Sequence, residues 1–230
     1  MKKITLLFFT FFFVFSACEI LRTLEIPTSA PLSTNEIIAG LKEALNVGTT
    51  NAVNFLGKEN GFYGNSALKI PFPEEVKIVE EKLREIGLNK KVDDFILNMN
   101  RGAENAVKKA TPIFVDAIKG MTFADARKIL NGPDDAATGY FKNKTSNKLF
   151  NAFKPEVQKI LDNVKLTKYW TDIISTYNKI PFVQKVETDL AKYVTDKTLN
   201  GLFYKLAQEE KLIRNDPKAR VTDILKKVFG

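Results

Sequence analysis

The chain has 230 residues, 44% of them hydrophobic and 27% charged, and its 35 basic and 27 acidic side chains give a net charge of +8. It contains no histidine and a single cysteine, which excludes Ser-His-Asp and Cys-His hydrolases, histidine-ligated zinc sites and an intrachain disulfide. The basic balance suits an anionic surface, yet the lysines are spread along most of the predicted elements, the pattern of a solvated basic face.

The chain opens with Met1-Lys2-Lys3, an apolar run from Ile4 to Phe15, and Ser16-Ala17-Cys18. A charged start, about a dozen apolar residues and small residues before a cleavage point predict a signal peptide over 1–17. A membrane-spanning helix needs about 20 apolar residues, and Glu19 and Arg22 follow too soon for that. Ser16-Ala17-Cys18 resembles the lipobox of bacterial lipoproteins, with Phe15 where a leucine is usual, so Cys18 is expected to become the acylated first residue. Glu19, rather than aspartate, after that cysteine points to the periplasmic side of the outer membrane. Cleavage would leave 213 residues with a side-chain charge of +6. An exported chain is not expected to meet nucleic acid, and without disulfides its stability must come from a packed apolar core.

Residues 18–33, with Pro27 and Pro31, are expected to form a tether behind the acylated cysteine. Ser33 or Thr34 then caps a helix in which Ile37, Ile38, Leu41, Leu45 and Val53 recur near one stripe, ending at Gly57. From Lys58 to Pro73 the glycines and prolines break any helix while Phe62, Tyr63, Leu68, Ile70 and Phe72 keep the segment apolar. It is expected to be a loop or short extended pair packed on the body, with Phe62 and Tyr63 as a candidate partner contact.

Pro73 opens a helix with Glu74 and Glu75 in its first turn, ending at Gly87. The next begins near Lys90 and carries Phe95, Ile96, Met99, Gly102, Ala103, Ala106 and Ala110 on one side. Pro112 should kink or interrupt it. Thr122 and Asp125 have capping-box spacing before a short helix that stops at Asn131-Gly132. A helix from Pro133-Asp134-Asp135 should run towards Pro155, where a further segment starts, bearing Val157, Ile160, Leu161 and Val164. Trp170, Ile173, Ile174 and Tyr177 mark another, a long helix spans about Glu187 to Arg214, and Asp216-Pro217 begins a terminal one with Val221, Ile224, Leu225 and Val228. No stretch alternates like a half-buried strand. The expected fold is all-α: an irregular multi-helix bundle forming a single domain over 34–230.

Carboxylates and arginines remain as candidates for chemistry. Asn100, Arg101 and Glu104 adjoin one another on one helix face beside the apolar stripe, as a binding pocket and a structural ion pair both require. On the long helix Glu210 lies along the apolar face four residues before Arg214, while Glu209 is expected to turn to solvent. Asp216 reads as a cap before Pro217. Glu104 and Glu210 are the two carboxylates from which an acid/base pair for glycan cleavage would be built.

Asn98–Glu104 with Pro112-Ile113-Phe114, Met121-Thr122-Phe123-Ala124-Asp125-Ala126, Ala136-Ala137-Thr138-Gly139-Tyr140-Phe141, Gly201-Leu202-Phe203, Glu209-Glu210, Ile213-Arg214-Asn215-Asp216-Pro217 and Val228-Phe229-Gly230 form an ordered series. It resembles the bacterial family catalogued as domain of unknown function 4197, from about Ile37 to Gly230. The resemblance implies a helical exported or lipid-anchored protein and brings no activity, substrate or cofactor with it.

The function expected is that of a lipid-anchored envelope protein, attached to the membrane through Cys18, whose helical body binds an envelope protein or an apolar ligand without catalysis. A carboxylate-dependent hydrolase acting on cell-wall glycan or lipid is the alternative, and a purely structural spacer is a third reading. No cofactor or metal is expected.

Overall fold

The apolar spacings become nine α-helices among the residues that the computed structural model describes, 33–163 and 167–229. The leader, Cys18, most of the tether, Val164 and Gly230 lie outside them. The helices are α1 (Thr34–Gly57), α2 (Lys77–Glu85), α3 (Asn89–Ala106), α4 (Ala110–Lys119), α5 (Phe123–Leu130), α6 (Ala136–Leu161), α7 (Thr167–Tyr177), α8 (Leu190–Asn215) and α9 (Asp223–Phe229). No strand occurs among the described residues. The fold is all-α, and Thr34–Gly230 is one compact unit.

The long helices make the frame. α6 packs on α8 and α3, and α1 crosses α8, α9 and α4. Small residues set the closest approaches. A Cβ on Gly102 of α3 would touch the Val157 backbone of α6, and one on Gly40 of α1 would lie only 2.4 Å from Val228 Cγ2 of α9. Phe114 and Phe141 meet edge to face at 5.0 Å where α4 crosses α6. Phe72, Phe95 and Trp170 form a second aromatic cluster with centroids 5.4–5.7 Å apart, joining the end of the 58–73 segment to α3 and α7.

Several local signals act as their residue types dictate. Thr122 Oγ1 accepts from the Asp125 amide while the Asp125 carboxylate accepts from the Thr122 amide, closing the box at the start of α5. Gly87, at φ 84°, ends α2 in a Schellman turn, with the Gly87 and Leu88 amides donating to the carbonyls of Arg84 and Leu83. The interruption due to Pro112 falls just upstream, as a 3-10 turn over Val107–Lys109, because the carbonyl that Pro112 leaves without a donor is that of Lys108.

Three expectations need correction, and one open alternative is decided. α6 runs unbroken through Pro155, since Leu149, Phe153, Val157 and Leu161 keep one buried stripe across it and packing outweighs the lost backbone bond. The 58–73 segment, expected as a loop or a short extended pair, is the loop, built of successive turns. α8 begins at Leu190 rather than near Glu187, because the Asp189 carboxylate accepts from the Lys192 amide and fixes the N-cap there. The terminal helix is split: a 3-10 turn over Pro217–Ala219, capped by Asp216, precedes α9, and Val221 between them is exposed. No helix among the described residues is long and apolar enough to cross a membrane.

Candidate functional site

The polar residues singled out in α3 face the 58–73 segment. The Asn100 amide group, fully buried, accepts from Ile70 N and donates to Ile70 O, both at 2.8 Å, and also donates to Ile96 O of its own helix. One turn on, Glu104 Oε1 accepts from the amides of Phe62 and Tyr63, each at 3.1 Å. Its Oε2 accepts from Arg101 Nη1, while Arg101 Nη2 donates to Glu59 Oε1 and Asn60 Oδ1, both at 3.0 Å. Asn60 sits at φ 63°, a left-handed position that asparagine tolerates better than most residues. A buried backbone amide left unpaired is costly, so a segment without regular structure needs acceptors from elsewhere, and α3 supplies them.

With its backbone tied down, the segment turns its apolar side chains inward. Phe62, Leu68, Ile70 and Phe72 are all buried. Phe62 fills a seat on α8 that exists because residue 201 is glycine: a Cβ there would lie 2.6 Å from Phe62 Cε1. Of the candidate partner pair, therefore, only Tyr63 reaches solvent, with Lys69 Nζ 4.5 Å over its ring. Tyr193 of α8 completes the hold, its hydroxyl donating to Pro71 O at 3.3 Å, and burial pushes that phenol's pKa up.

The second cluster lies on α8. Glu210 Oε1 accepts from the Ala137 amide, and Oε2 from the Thr138 amide and hydroxyl, each at 2.9 Å. These two amides belong to the first turn of α6, whose N-cap residue, Asp135, makes no side-chain cap bond. A carboxylate from a distant helix thus replaces the local cap and meets the positive end of the α6 dipole. Arg214 donates to Glu210 Oε1 through Nε at 3.2 Å and Nη2 at 2.9 Å, and Nη2 also reaches Ile129 O at the end of α5. Arg220 donates to the carbonyls of Ile213 and Arg214 and closes the C-terminal turn of α8. Glu210 and Arg214 therefore join α5, α6 and α8.

Glu209 corrects the expectation of a solvent-facing side chain. It is buried, paired with Lys205 at 2.7 Å, and accepts from Asn51 Nδ2 of α1 at 3.3 Å. Lys205 Nζ lies 4.5 Å over the Phe55 ring. α1 covers this side of α8, so both faces of the Glu209-Glu210 pair are enclosed by helices.

Asn100, Arg101 and Glu104 thus come together, as do Glu210 and Arg214. No hydrogen bond or ion pair joins the two sets among the described residues. Partners that sequence reasoning missed are Glu59, Asn60, Thr138, Lys205 and Asn51. Asn60 beside Gly61, and Thr138 in the first turn of a helix that opens on alanines, were the only local hints. Beside Glu210 lies a cavity of about 20 Å³ among Leu41, Leu45, Phe141, Leu206 and Ile213, space for about one water molecule. Among the described residues no group of three or more His, Cys, Asp or Glu side chains is arranged to hold a metal ion.

The ordered blocks noted in the sequence map onto these clamps: Asn98–Glu104 holds the 58–73 segment, Gly201-Leu202-Phe203 seats Phe62, Ala136–Phe141 is the turn that Glu210 caps, and Ile213–Pro217 ends α8. The profile of the family described as "Protein of unknown function (DUF4197)" matches residues 31–230. The chain belongs to this family. No curated protein and no solved structure shows significant similarity to it. Within the DUF4197 body, then, the chemistry-bearing residues are understood through their contacts: two buried carboxylates hold backbone that has no other partner.

Proposed function

We propose that this DUF4197 protein is a lipid-anchored component of the bacterial envelope whose helical body acts as a non-catalytic binding module for an envelope protein. The observation that carries the non-catalytic half is the occupancy of Glu104 and Glu210. Each has both carboxylate oxygens engaged, by two backbone amides and an arginine, with the Thr138 hydroxyl added at Glu210. A general acid or nucleophile needs an oxygen directed at substrate. Here the oxygens are directed at the fold. The cavity beside Glu210 has no room for an apolar ligand, and the larger cleft of about 600 Å³ where α6, α7 and α8 meet is lined by Lys154, Asp162, Lys168 and Asp189 as well as Leu161 and Trp170, a polar setting that favours a protein partner over an apolar ligand. The anchoring half is supported by the Ser16-Ala17-Cys18 motif behind its apolar run. Two or three acyl chains, at roughly 0.8 kcal/mol per buried methylene, would hold the body at a bilayer without a spanning helix.

In-cell crosslinking followed by mass spectrometry tests the binding half. The expected result is one recurrent envelope protein, captured equally by the wild type and by Glu104→Gln at a temperature where that variant is folded. Recovery of no recurrent neighbour would count against a binding module. A phenotype lost in folded Glu104→Gln with the neighbour still captured would favour the carboxylate hydrolase.

A further inference from the structure

The segment Asn178–Val186, between α7 and α8, is a loop with closely pinned ends. Asn178 accepts from Val186 N at 2.9 Å and donates to Val186 O at 2.8 Å, and the Lys185 ammonium donates to Asn178 O. Below it, the Tyr177 hydroxyl donates to Glu75 O, and Trp170 Nε1 to Glu187 O, fixing the base to the body. The loop reads Asn-Lys-Ile-Pro-Phe-Val-Gln-Lys-Val, without a carboxylate. Its tip is apolar. Phe182 is fully exposed, Ile180 is 48% exposed and Pro181 is exposed, with the lysines 179 and 185 exposed on either side.

Phe182 also has φ 66°, in the left-handed region that a bulky residue enters only when its surroundings demand it. Pro181 before it fixes its own φ, and the pinned ends leave the ring standing outward. Folding does not bury this ring, so the fold does not account for it. An aromatic and aliphatic tip collared by lysines has the chemistry of a bilayer interface, where rings enter the headgroup–acyl boundary and ammonium groups meet lipid phosphates.

We infer that Ile180-Pro181-Phe182 is a membrane-inserting tip, entering the headgroup region of an anionic lipid surface with Lys179 and Lys185 on the phosphates. The inference deepens the lipid-anchor reading and rests on it for the nearness of a bilayer, while the geometry of the tip stands on its own. The chain from Cys18 to Ser33 can extend at most about 55 Å, against about 39 Å for the length of α8. A tether of that reach is long enough to let the body present the tip to the bilayer that would hold Cys18.

The test uses the full chain, expressed with its leader, purified from host membranes and reconstituted into vesicles of phosphatidylcholine and phosphatidylglycerol with part of the phosphatidylcholine brominated. The mass at Cys18 is read first. Phe182→Trp is compared with Tyr204→Trp, a substitution at an exposed site about 21 Å along α8 from Leu190. After subtraction of the native Trp170 signal measured in the wild type, the tip predicts a blue-shifted Phe182→Trp emission, quenched by brominated lipid about twofold or more beyond the Tyr204→Trp control, and reduced towards it by Lys179→Gln. Equal quenching at both sites, or none at 182, overturns the inference, as does a photocrosslinker at 182 that captures only protein. An acylated Cys18 with no quenching at 182 sinks the tip and leaves the anchor standing. A free thiol at Cys18 with quenching at 182 does the reverse.

Discussion

Glu104 and Glu210 illustrate how a buried charge can serve a fold by holding backbone. Removing either would leave two amides without acceptors in a nearly dry setting; Arg214 would also lose its carboxylate partner, whereas Arg101 would keep Glu59. Glu104→Ala and Glu210→Ala are each expected to lower unfolding free energy by about 3–5 kcal/mol, measured by urea denaturation, with a smaller loss for the glutamine variants. A change within about 0.5 kcal/mol, ordinary for a surface substitution, would contradict the clamp. At Gly201 the limit is steric. Gly201→Ala should cost about 1–3 kcal/mol, because the Cβ would lie 2.6 Å from Phe62 Cε1, on a ring fully buried in the core. A neutral Gly201→Ala would mean that the Phe62 seat is looser than described.

At the scale of elements, the N-terminus of α8 has a pH signature. For the Asp189 carboxyl, burial acts upward but is outweighed by bonds from Lys154 and the Lys192 amide, and its pKa lies below the ordinary value. Glu187 is also held low, first by the Asp189 amide and then by Lys192. Groups depressed on folding contribute stability above their unfolded pKa and lose it as pH falls through the folded one. Acid should therefore loosen this junction only below the ordinary carboxylate range. Carboxyl NMR titration should place both resonances below their model-peptide positions; midpoints at or above those positions would refute the cap. In α6 the expectation runs the other way. Pro155→Ala restores a helical amide inside a continuous stripe and should add about 2 kcal/mol, raising Tm by about 4–8 °C. A lower Tm would show that the proline shapes the packing.

These elements also show what the sequence makes legible. Caps and stops such as Thr122-Asp125, Gly87 and Asp216-Pro217 act within a few residues, and the chain displays them directly. Pro155 misled because its local penalty is outweighed by contacts that α3 and α8 provide. Glu209 misled because α1, which covers it, lies some 150 residues earlier. The candidate polar residues were legible as residues beside an apolar stripe. Their partners, 41 and 42 positions away for Glu104 and 72 and 73 for Glu210, were not, since helical spacing reports which face a side chain occupies and nothing of what lies opposite it.

At the scale of the molecule, the proposal is of a helical body that would bind through its surface while held by an acyl anchor at Cys18, and the chain's basic balance suits an anionic bilayer. The body's internal polar groups are used in folding, so the proposed binding would draw on surface features such as half-buried Tyr63 and the exposed tip of the 178–186 loop. The anchor is the claim from which location, partner and orientation follow. Mass spectrometry of the protein isolated from its native membranes tests it most directly. The account predicts a mature chain beginning at Cys18 and carrying the mass of its acyl groups. A chain with an unmodified thiol at Cys18 would contradict it.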